Sequence, residues 1–409
     1  MKMKRDYPIV QITQKGKKYL QSGHSWVYEG EVLELSEAIE DGALVDVLCQ
    51  KTYLGTGFYN SHSKIRVRLV SRNANDTFDE AFWMRRAKYA IDYRKTVMPD
   101  DDFKCCRLVH GQADDFPGLT IDRFNTILSV QIACLGMDQI KDIILNAFYT
   151  ILKEMGEDIQ GIYLRNDLSV RKLEGLKEEK GWYEKIEHPN QTKVEIVENG
   201  ISYLVDVENG QKTGFFLDQK YNRKAISRIS KDKEVLDCFT HTGSFGLNAA
   251  KGKARHVTSV DISSTAIEMA KENAKRNHIE NISFEVCDVF QLLTDLYNQK
   301  KHPYDFIILD PPAFTKSRNT IKNATSGYKE INYKAMKILP RGGYLATCSC
   351  SHFMSDENFR KMLKEAAKDA NVTLRQIEAR QQACDHPISW NEEESDYLKF
   401  YIFQVCDEL

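Results

Sequence analysis

The sequence predicts an α/β chain, with a doubly wound, mostly parallel sheet in its C-terminal half and smaller β-rich and α+β regions before it. Three observations lead there. From about residue 191 onward, apolar β-branched runs alternate with segments of helical period. Before residue 73 the apolar runs are short and are separated by Gly and Asp. The 409 residues also exceed one ordinary core, because domains hold roughly 100–200 residues. The expected division is 1–73, 74–190 and 191–409.

In the first region Val32–Leu35, Leu44–Leu48 and Ile65–Val70 read as strands. Residues 79–96 then carry a charged amphipathic helix around Phe82, Ala87, Tyr89, Ala90 and Tyr93. Strands follow at Cys106–Val109, Leu119–Asp122 and Ile127–Val130, with Asp115-Phe116-Pro117-Gly118 as a turn. A helix at about 137–155 and a strand at Gly161–Leu164 complete the middle region. The charged stretch from Arg171 to Lys185 reads as exposed loop. Asn199-Gly200 joins Lys193–Val197 and Ile201–Val205 into a hairpin. The alternating part has strands at Glu234–Asp237, His256–Val260, Ile282–Val286, Phe306–Leu309 and Gly343–Thr347. Helices at about 244–251, 264–277, 288–299 and 328–339 lie between them. Thr373–Ile377 and Tyr397–Phe403 have no useful helix between them, so an antiparallel pair is expected at the sheet edge.

Composition narrows the function classes. Hydrophobic residues make up 42% and charged residues 28%, as in a globular protein. No apolar run reaches the roughly 18–20 residues of a membrane span, and the basic N-terminus lacks the apolar core of a secretory signal. Ten scattered cysteines without regular spacing point to reduced thiols and a cytoplasmic protein. The net charge of −2 does not advertise a polyanionic partner. Two basic clusters do offer local phosphate contacts: Lys2, Lys4, Arg5, Lys15, Lys17 and Lys18, then Lys64, Arg66, Arg68 and Arg72. The aromatics Trp26, Tyr28, Phe58 and Tyr59 could meet bases, or fill a small barrel.

Open α/β sheets bind ligands beyond the C-terminal ends of their strands. Acids stand at those ends here. Asp237 opens the loop Asp237-Cys238-Phe239-Thr240-His241-Thr242-Gly243-Ser244-Phe245-Gly246, whose glycines let the backbone approach a ligand. Asp261 can accept from two ribose hydroxyls, and Asp288 from an adenine amino group. Asp310 begins Asp310-Pro311-Pro312-Ala313-Phe314. Each alone could be an N-cap or a turn residue; together they suggest one ligand site. A nicotinamide enzyme would need G-x-G-x-x-G, and this turn offers only Gly243 and Gly246.

Residues 193–409 resemble a Rossmann-like class I S-adenosylmethionine methyltransferase, a cofactor without phosphate that tolerates such a turn. The whole chain resembles the bacterial 23S ribosomal RNA cytosine-C5 methyltransferases that carry an N-terminal PUA RNA-binding domain. The matching residues are Gly23-His24-Ser25-Trp26-Val27-Tyr28, Gln211-Lys212-Thr213-Gly214-Phe215-Phe216-Leu217-Asp218-Gln219, the Asp237–Gly246 loop, Asp310-Pro311-Pro312 and Ser349-Cys350-Ser351. The resemblance implies a PUA domain at 1–73, a middle domain at 74–190 and a catalytic domain at 191–409 with a seven-stranded sheet. It implies that Lys212, Thr213, Gly214 and Phe215 close over S-adenosylmethionine. It also implies a cofactor site that includes Asp237, Phe239, Gly243, Asp261, Ile262, Asp288, Val289, Asp310 and Pro311. RNA, here 23S ribosomal RNA, is the implied partner, with no membrane; a homodimer is one assembly such a chain could form.

Cytosine C5 accepts a methyl group only after a thiolate adds to C6. Thr347-Cys348-Ser349-Cys350-Ser351 supplies two thiols, on one side of the strand if it runs through both. A Thr-Cys-Ser tripeptide points to Cys348. The distance from Gly342-Gly343 and the family match at Ser349-Cys350-Ser351 point to Cys350, which is preferred. Asp310, if protonated, could donate to N3 of the ring. Cys348, Cys350 and His352 lack a fourth ligand for structural zinc, so no metal is expected. The alternatives are methylation of a purine nitrogen in ribosomal RNA, and a non-catalytic RNA-binding or ribosome-assembly factor.

Overall fold

The computed structural model describes residues 5–314 and 321–407. Lys2 and Lys4 of the first basic cluster lie outside the described residues. The chain forms two compact units. One comprises Met1–Ile196, Leu204–Leu217 and Cys384–Ser395; the other comprises Val197–Tyr203, Asp218–Ala383 and Asp396–Leu409.

The first unit begins with β1 (Ile9–Ile12), α1 (Gln14–Gln21), β2 (Trp26–Tyr28), β3 (Val32–Leu35), β4 (Leu44–Cys49), β5 (Thr52–Tyr59) and β6 (Ile65–Ser71). These strands form a six-stranded sheet in the order β2-β6-β5-β4-β1-β3. Alternation places Val10, Ile12, Val45, Val47 and Val67 in its core. Helix α1 starts where the Thr13 hydroxyl accepts from Gly16 N at 3.1 Å.

Helix α2 (Glu80–Val97) follows, capped by Asp79 accepting from Phe82 N at 2.9 Å. Its buried stripe is Phe82, Trp83, Ala87, Ala90, Ile91 and Arg94. Tyr89 is 62% exposed and Tyr93 also faces outward, so the expected stripe is corrected by a partial turn. The cause is Arg94: its buried guanidinium pairs with Asp114 and takes an interior position that charge alone would place outside.

A second sheet contains β7 (Cys105–His110), β8 (Leu119–Phe124), β9 (Ile127–Ile132), β10 (Gly161–Asn166) and β11 (Glu179–Trp182), in the order β11-β10-β9-β8-β7. Helices α3 (Leu135–Gln139) and α4 (Lys141–Glu154) precede β10, and β9 and β10 run parallel. The expected single helix is thus two, broken at Ile140. The stretch from Arg171 to Lys185 is not an exposed loop. Arg171 is buried, donating to Ile132 O at 2.6 Å, and β11 adds to the sheet. Phe58 and Tyr59 are buried as well. Phe58 stacks on Trp83 at 6.3 Å, so the two sheets of this unit share a core.

Strands β12 (Lys193–Glu198) and β13 (Ile201–Asp206) form the hairpin, with Asn199 and Gly200 at φ 53° and 72°. A two-residue turn of this type needs both positive angles.

The second unit contains α5 (Lys220–Ile229), β14 (Glu234–Cys238), α6 (Ser244–Lys251), β15 (His256–Asp261), α7 (Ser264–Arg276), β16 (Ile282–Val286) and α8 (Val289–Asn298). It continues with β17 (Phe306–Leu309), α9 (Ile321–Ile338), β18 (Tyr344–Ser349), α10 (Asp356–Ala370), β19 (Thr373–Arg380) and β20 (Lys399–Cys406). They build a seven-stranded sheet in the order β16-β15-β14-β17-β18-β20-β19. Strands β14 to β18 are mutually parallel, and β20 runs antiparallel to β18 and β19. The expected edge pair is therefore present. Helices cover both faces, which is why β17 can read Phe-Ile-Ile-Leu and be wholly buried. Strand order reverses beside β14, and the crevice at such a switch point is the natural ligand site.

Candidate functional site

The loop after β14 is bent by Phe239, His241 and Gly243, at φ 62°, 51° and 83°. Backbone bonds hold it: Thr240 N donates to Val260 O at 3.0 Å and Gly243 N to Thr240 O at 2.9 Å. Asp237 lies buried beneath it. Its Oδ2 accepts from Gly246 N at 2.8 Å, from Ser259 Oγ at 3.0 Å and from the Thr240 hydroxyl. Its Oδ1 is buried with no hydrogen-bond partner among the described residues, as is Thr242 Oγ1. Burial raises the Asp237 carboxyl to about 7, against the pull of those three donors. Gly246 serves packing: a Cβ there would stand 2.1 Å from Ser259 Oγ and 2.8 Å from Asp237 Oδ2.

Asp261 ends β15. One carboxylate oxygen accepts from His241 N and the other from Ser263 N, each at 2.9 Å. Ile262 next to it is 70% exposed, an apolar side chain left uncovered just past the C-terminal end of β15. Asp288 is exposed and caps α8, accepting from Gln291 N at 3.0 Å. Val289 behind it is buried.

At the end of β17, Asp310 meets β18. Cys348 Sγ donates to Asp310 Oδ1 at 2.8 Å, and Gln219 Nε2 donates to the same oxygen at 3.3 Å. Asn222 Nδ2 fixes Gln219 by donating to its Oε1 at 2.6 Å. Burial raises Asp310 to about 6, while the Cys348 and Gln219 hydrogen bonds pull the other way. Cys348 is 0% exposed, and burial followed by the Asp310 charge lifts its thiol well above the ordinary range. Strand β18 stops at Ser349, so it does not run through Cys350. The condition for both thiols to share one side, a strand that runs through both, is therefore not met. Cys350 sits just past the strand end and is half-buried. Pro311 is buried; Phe314 packs on Tyr328 at 4.6 Å and on Phe290 at 5.8 Å.

Asp237, Phe239, Gly243, Asp261, Ile262, Asp288, Val289, Asp310, Pro311 and Cys350 thus all belong to the second unit. Lys212, Thr213, Gly214 and Phe215 belong to the first. Lys212 is exposed, its ammonium 4.8 Å from the Phe216 ring centroid. Thr213 is buried: its hydroxyl donates to Asp122 Oδ2 at 2.6 Å, and its carbonyl accepts from Ser129 Oγ at 2.7 Å. Gly214, at φ 138°, has Val205 where a Cβ would stand, and Phe215 is buried. Sequence reasoning gave no role to Gln219, although it closes the Gln211–Gln219 match, nor to Lys399. The signal for Lys399 is a single charge inside the apolar run Tyr397-Leu398-Lys399-Phe400.

The second basic cluster is largely used internally. Arg66 pairs with Glu29, Arg68 pairs with Glu174 at 2.8 Å, and Arg72 donates to the carbonyls of Leu20, Gly23 and His24. Lys64 remains exposed, as do Lys15 and Lys18 on α1. Of the aromatics, Tyr28 is exposed, and Trp26 lies under the Arg68 guanidinium at 5.4 Å.

Comparison with known proteins places this geometry in a family. Residues 182–391 match the S-adenosylmethionine-dependent methyltransferase family, and residues 10–72 match a PUA-like domain. The chain is 38% identical over 394 residues to ribosomal RNA large subunit methyltransferase I of Aeromonas salmonicida, covering 96% of this chain and 98% of that one. It is 34% identical over 402 residues to the enzyme of the same name from Klebsiella pneumoniae strain 342, covering 98% of each. A solved SAM-dependent methyltransferase structure from Streptococcus mutans superposes with a TM-score of 0.80 at 23% identity, covering 97% of this chain and 100% of that chain. A methyltransferase complexed with SAH superposes at 0.82 with the same identity and coverage. Among the described residues no helix is long and apolar enough to cross a membrane. The chain therefore belongs to the ribosomal RNA large subunit methyltransferase I family and is an S-adenosylmethionine-dependent methyltransferase that carries a PUA-like domain.

Proposed function

We propose that this enzyme forms 5-methylcytosine in RNA, and specifically in 23S ribosomal RNA, with Cys350 as the nucleophile and Asp310 as the proton donor. The observation that carries the reading is the contrast between the two thiols. Cys348 is sealed in the sheet and tied to Asp310, whereas Cys350 stands past the strand end where a base can reach it. A buried thiol with a raised pKa is inert; a nucleophile needs access and a thiolate.

The chain's residues suit the cofactor. The unpartnered buried oxygen of Asp237 fits a cationic amino group, Asp261 fits a diol, and the uncovered Ile262 and buried Val289 fit a flat ring. Asp288 keeps one carboxylate oxygen for an amino group while the other caps α8. Phe239, Gly243 and Pro311 shape the backbone around that crevice. S-adenosylmethionine, when bound, supplies the electrophilic methyl group. The Cys350 thiolate adds to cytosine C6 while Asp310 protonates N3, which makes C5 an enamine carbon able to take that methyl group. Loss of the C5 proton to a water molecule then restores the C5–C6 double bond, expels the Cys350 thiolate and returns the N3 proton to Asp310. A carboxyl near 6 can serve in both directions around neutral pH.

The rival chemistry, methyl transfer to a purine nitrogen, needs an aromatic after Asp-Pro-Pro to stack on the base. Phe314 is instead packed against Tyr328 and Phe290. The test is Cys350→Ala. Methyl transfer and the covalent complex with 5-fluorocytosine RNA should both disappear; full activity in the variant sinks the C5 reading.

A further inference from the structure

Lys399 opens β20, directly opposite Ser349 in the antiparallel register with β18. It is only 5% exposed. Its Nζ donates to Ser351 O at 2.7 Å and to Tyr397 O at 2.8 Å. Both hydrogen bonds go to backbone carbonyls rather than to a carboxylate, so neither neutralises the charge. A buried ammonium held this way is costly unless an anion answers it. The groups that face it are, in order of influence, Asp396 before β20, Cys350 just past β18, Asp356 at the start of α10 and Cys348 within β18. Tyr328 of α9 also lies within electrostatic reach of Cys350.

We propose that Lys399 is a positioning residue for the reaction: its ammonium ties down the Ser351 carbonyl, fixes the turn that carries Cys350, and holds the Cys350 sulfur as a thiolate. The inference deepens the cytosine-C5 reading and rests on Cys350 being the nucleophile.

The electrostatics are reciprocal. Burial draws Lys399 down to about 8, and charges on Asp396 first and Cys350 next push it back up. The attraction is mutual, so the ammonium favours the thiolate form of Cys350 in return. The thiol proton leaves to solvent and the ammonium keeps its own protons, so Lys399 transfers none. When the C5–C6 double bond reforms, the sulfur departs as an anion beside the same positive charge.

The test uses the full-length enzyme and iodoacetamide, with alkylation at Cys350 followed by mass spectrometry across pH. In the wild type the Cys350 thiol should titrate below the ordinary value of about 8.5. A wild-type value at or above that overturns the proposal without any variant. Lys399→Met should slow alkylation at neutral pH by about tenfold, one pKa unit, and shift the acid limb of the kcat profile upward with the KM for S-adenosylmethionine unchanged. Lys399→Arg should keep the wild-type profile. If Lys399→Met binds S-adenosylmethionine normally by calorimetry and alkylates like the wild type, the ammonium only props the turn and the proposal fails. Failure of the underlying reading is separate, because it would show as methyl transfer by Cys350→Ala whatever the alkylation result.

Discussion

At the scale of single residues, the buried carboxylates set the terms. Asp237 has one oxygen with three donors and one with none among the described residues. Its carboxyl is raised, so the sign follows directly. The stability it contributes is complete below the unfolded value of about 4 and is lost as pH climbs through about 7. Asp237→Asn keeps a carbonyl oxygen for the three donors and removes the charge. Without cofactor, the variant should be more stable than wild type at pH 8 by on the order of 2 kcal/mol, with the difference vanishing at low pH. It should also bind S-adenosylmethionine more weakly. Chemical denaturation at both pH values and calorimetry check this; a variant less stable than wild type at pH 8 contradicts it. The acids at the strand ends were legible in the sequence because a parallel sheet delivers every strand end to one rim. The preference for Cys350 came from the spacing after Gly342-Gly343 and the family match, whereas the difference in burial between Cys348 and Cys350 was not legible. It depends on where β18 stops, and a run of small polar and sulfur side chains does not mark that point.

At the scale of elements, helix α6 lies on β14 and β15 through Gly246. The glycine-containing turn looked like a place for close ligand approach. The close approach at Gly246 is instead between helix and sheet, while Gly243 supplies the left-handed angle that starts the helix. Gly246→Ala should push α6 off the strands, cost about 1–3 kcal/mol, and loosen the Asp237 loop. A lower denaturation midpoint together with weaker S-adenosylmethionine binding is the expected result; unchanged binding would show that the loop does not depend on α6. The strands of the second unit and α6, α7 and α8 were read to within about three residues because period and turn chemistry agree there, whereas α5 and α10 were not anticipated and α9 begins at Ile321 rather than about 328. Elements of the first unit were read less well. Strands β1, β2 and β5 are short or rich in Thr, Gly and Tyr, and α2 buries an arginine against Asp114, which no periodicity argument anticipates.

At the scale of the whole molecule, the two sheets of the first unit share a core at Phe58 and Trp83. Cutting the chain at residue 73 would open that core, so RNA binding by the PUA-like part is better tested with surface charges left on an intact fold. Lys15, Lys18 and Lys64 are the exposed lysines remaining from the basic clusters among the described residues. Reversing all three to Glu should weaken RNA binding and flatten its salt dependence by up to about two to three phosphate contacts. Filter binding across a salt series measures this. An unchanged slope would move the phosphate contacts elsewhere on the protein.

The sequence by itself determined the α/β class and the row of acids along one rim, because turns, periods and acids at strand ends are local signals, and its motifs carried the family resemblance. The tertiary structure decided which groups act on one another. Burial separates Cys348 from Cys350, gives Asp237 and Asp310 carboxyls that hold protons nearer neutrality, and brings Lys399 across the register of β20 to the turn that bears Cys350. Desolvation and cross-strand contact arise only when distant segments pack, and no local pattern encodes their size.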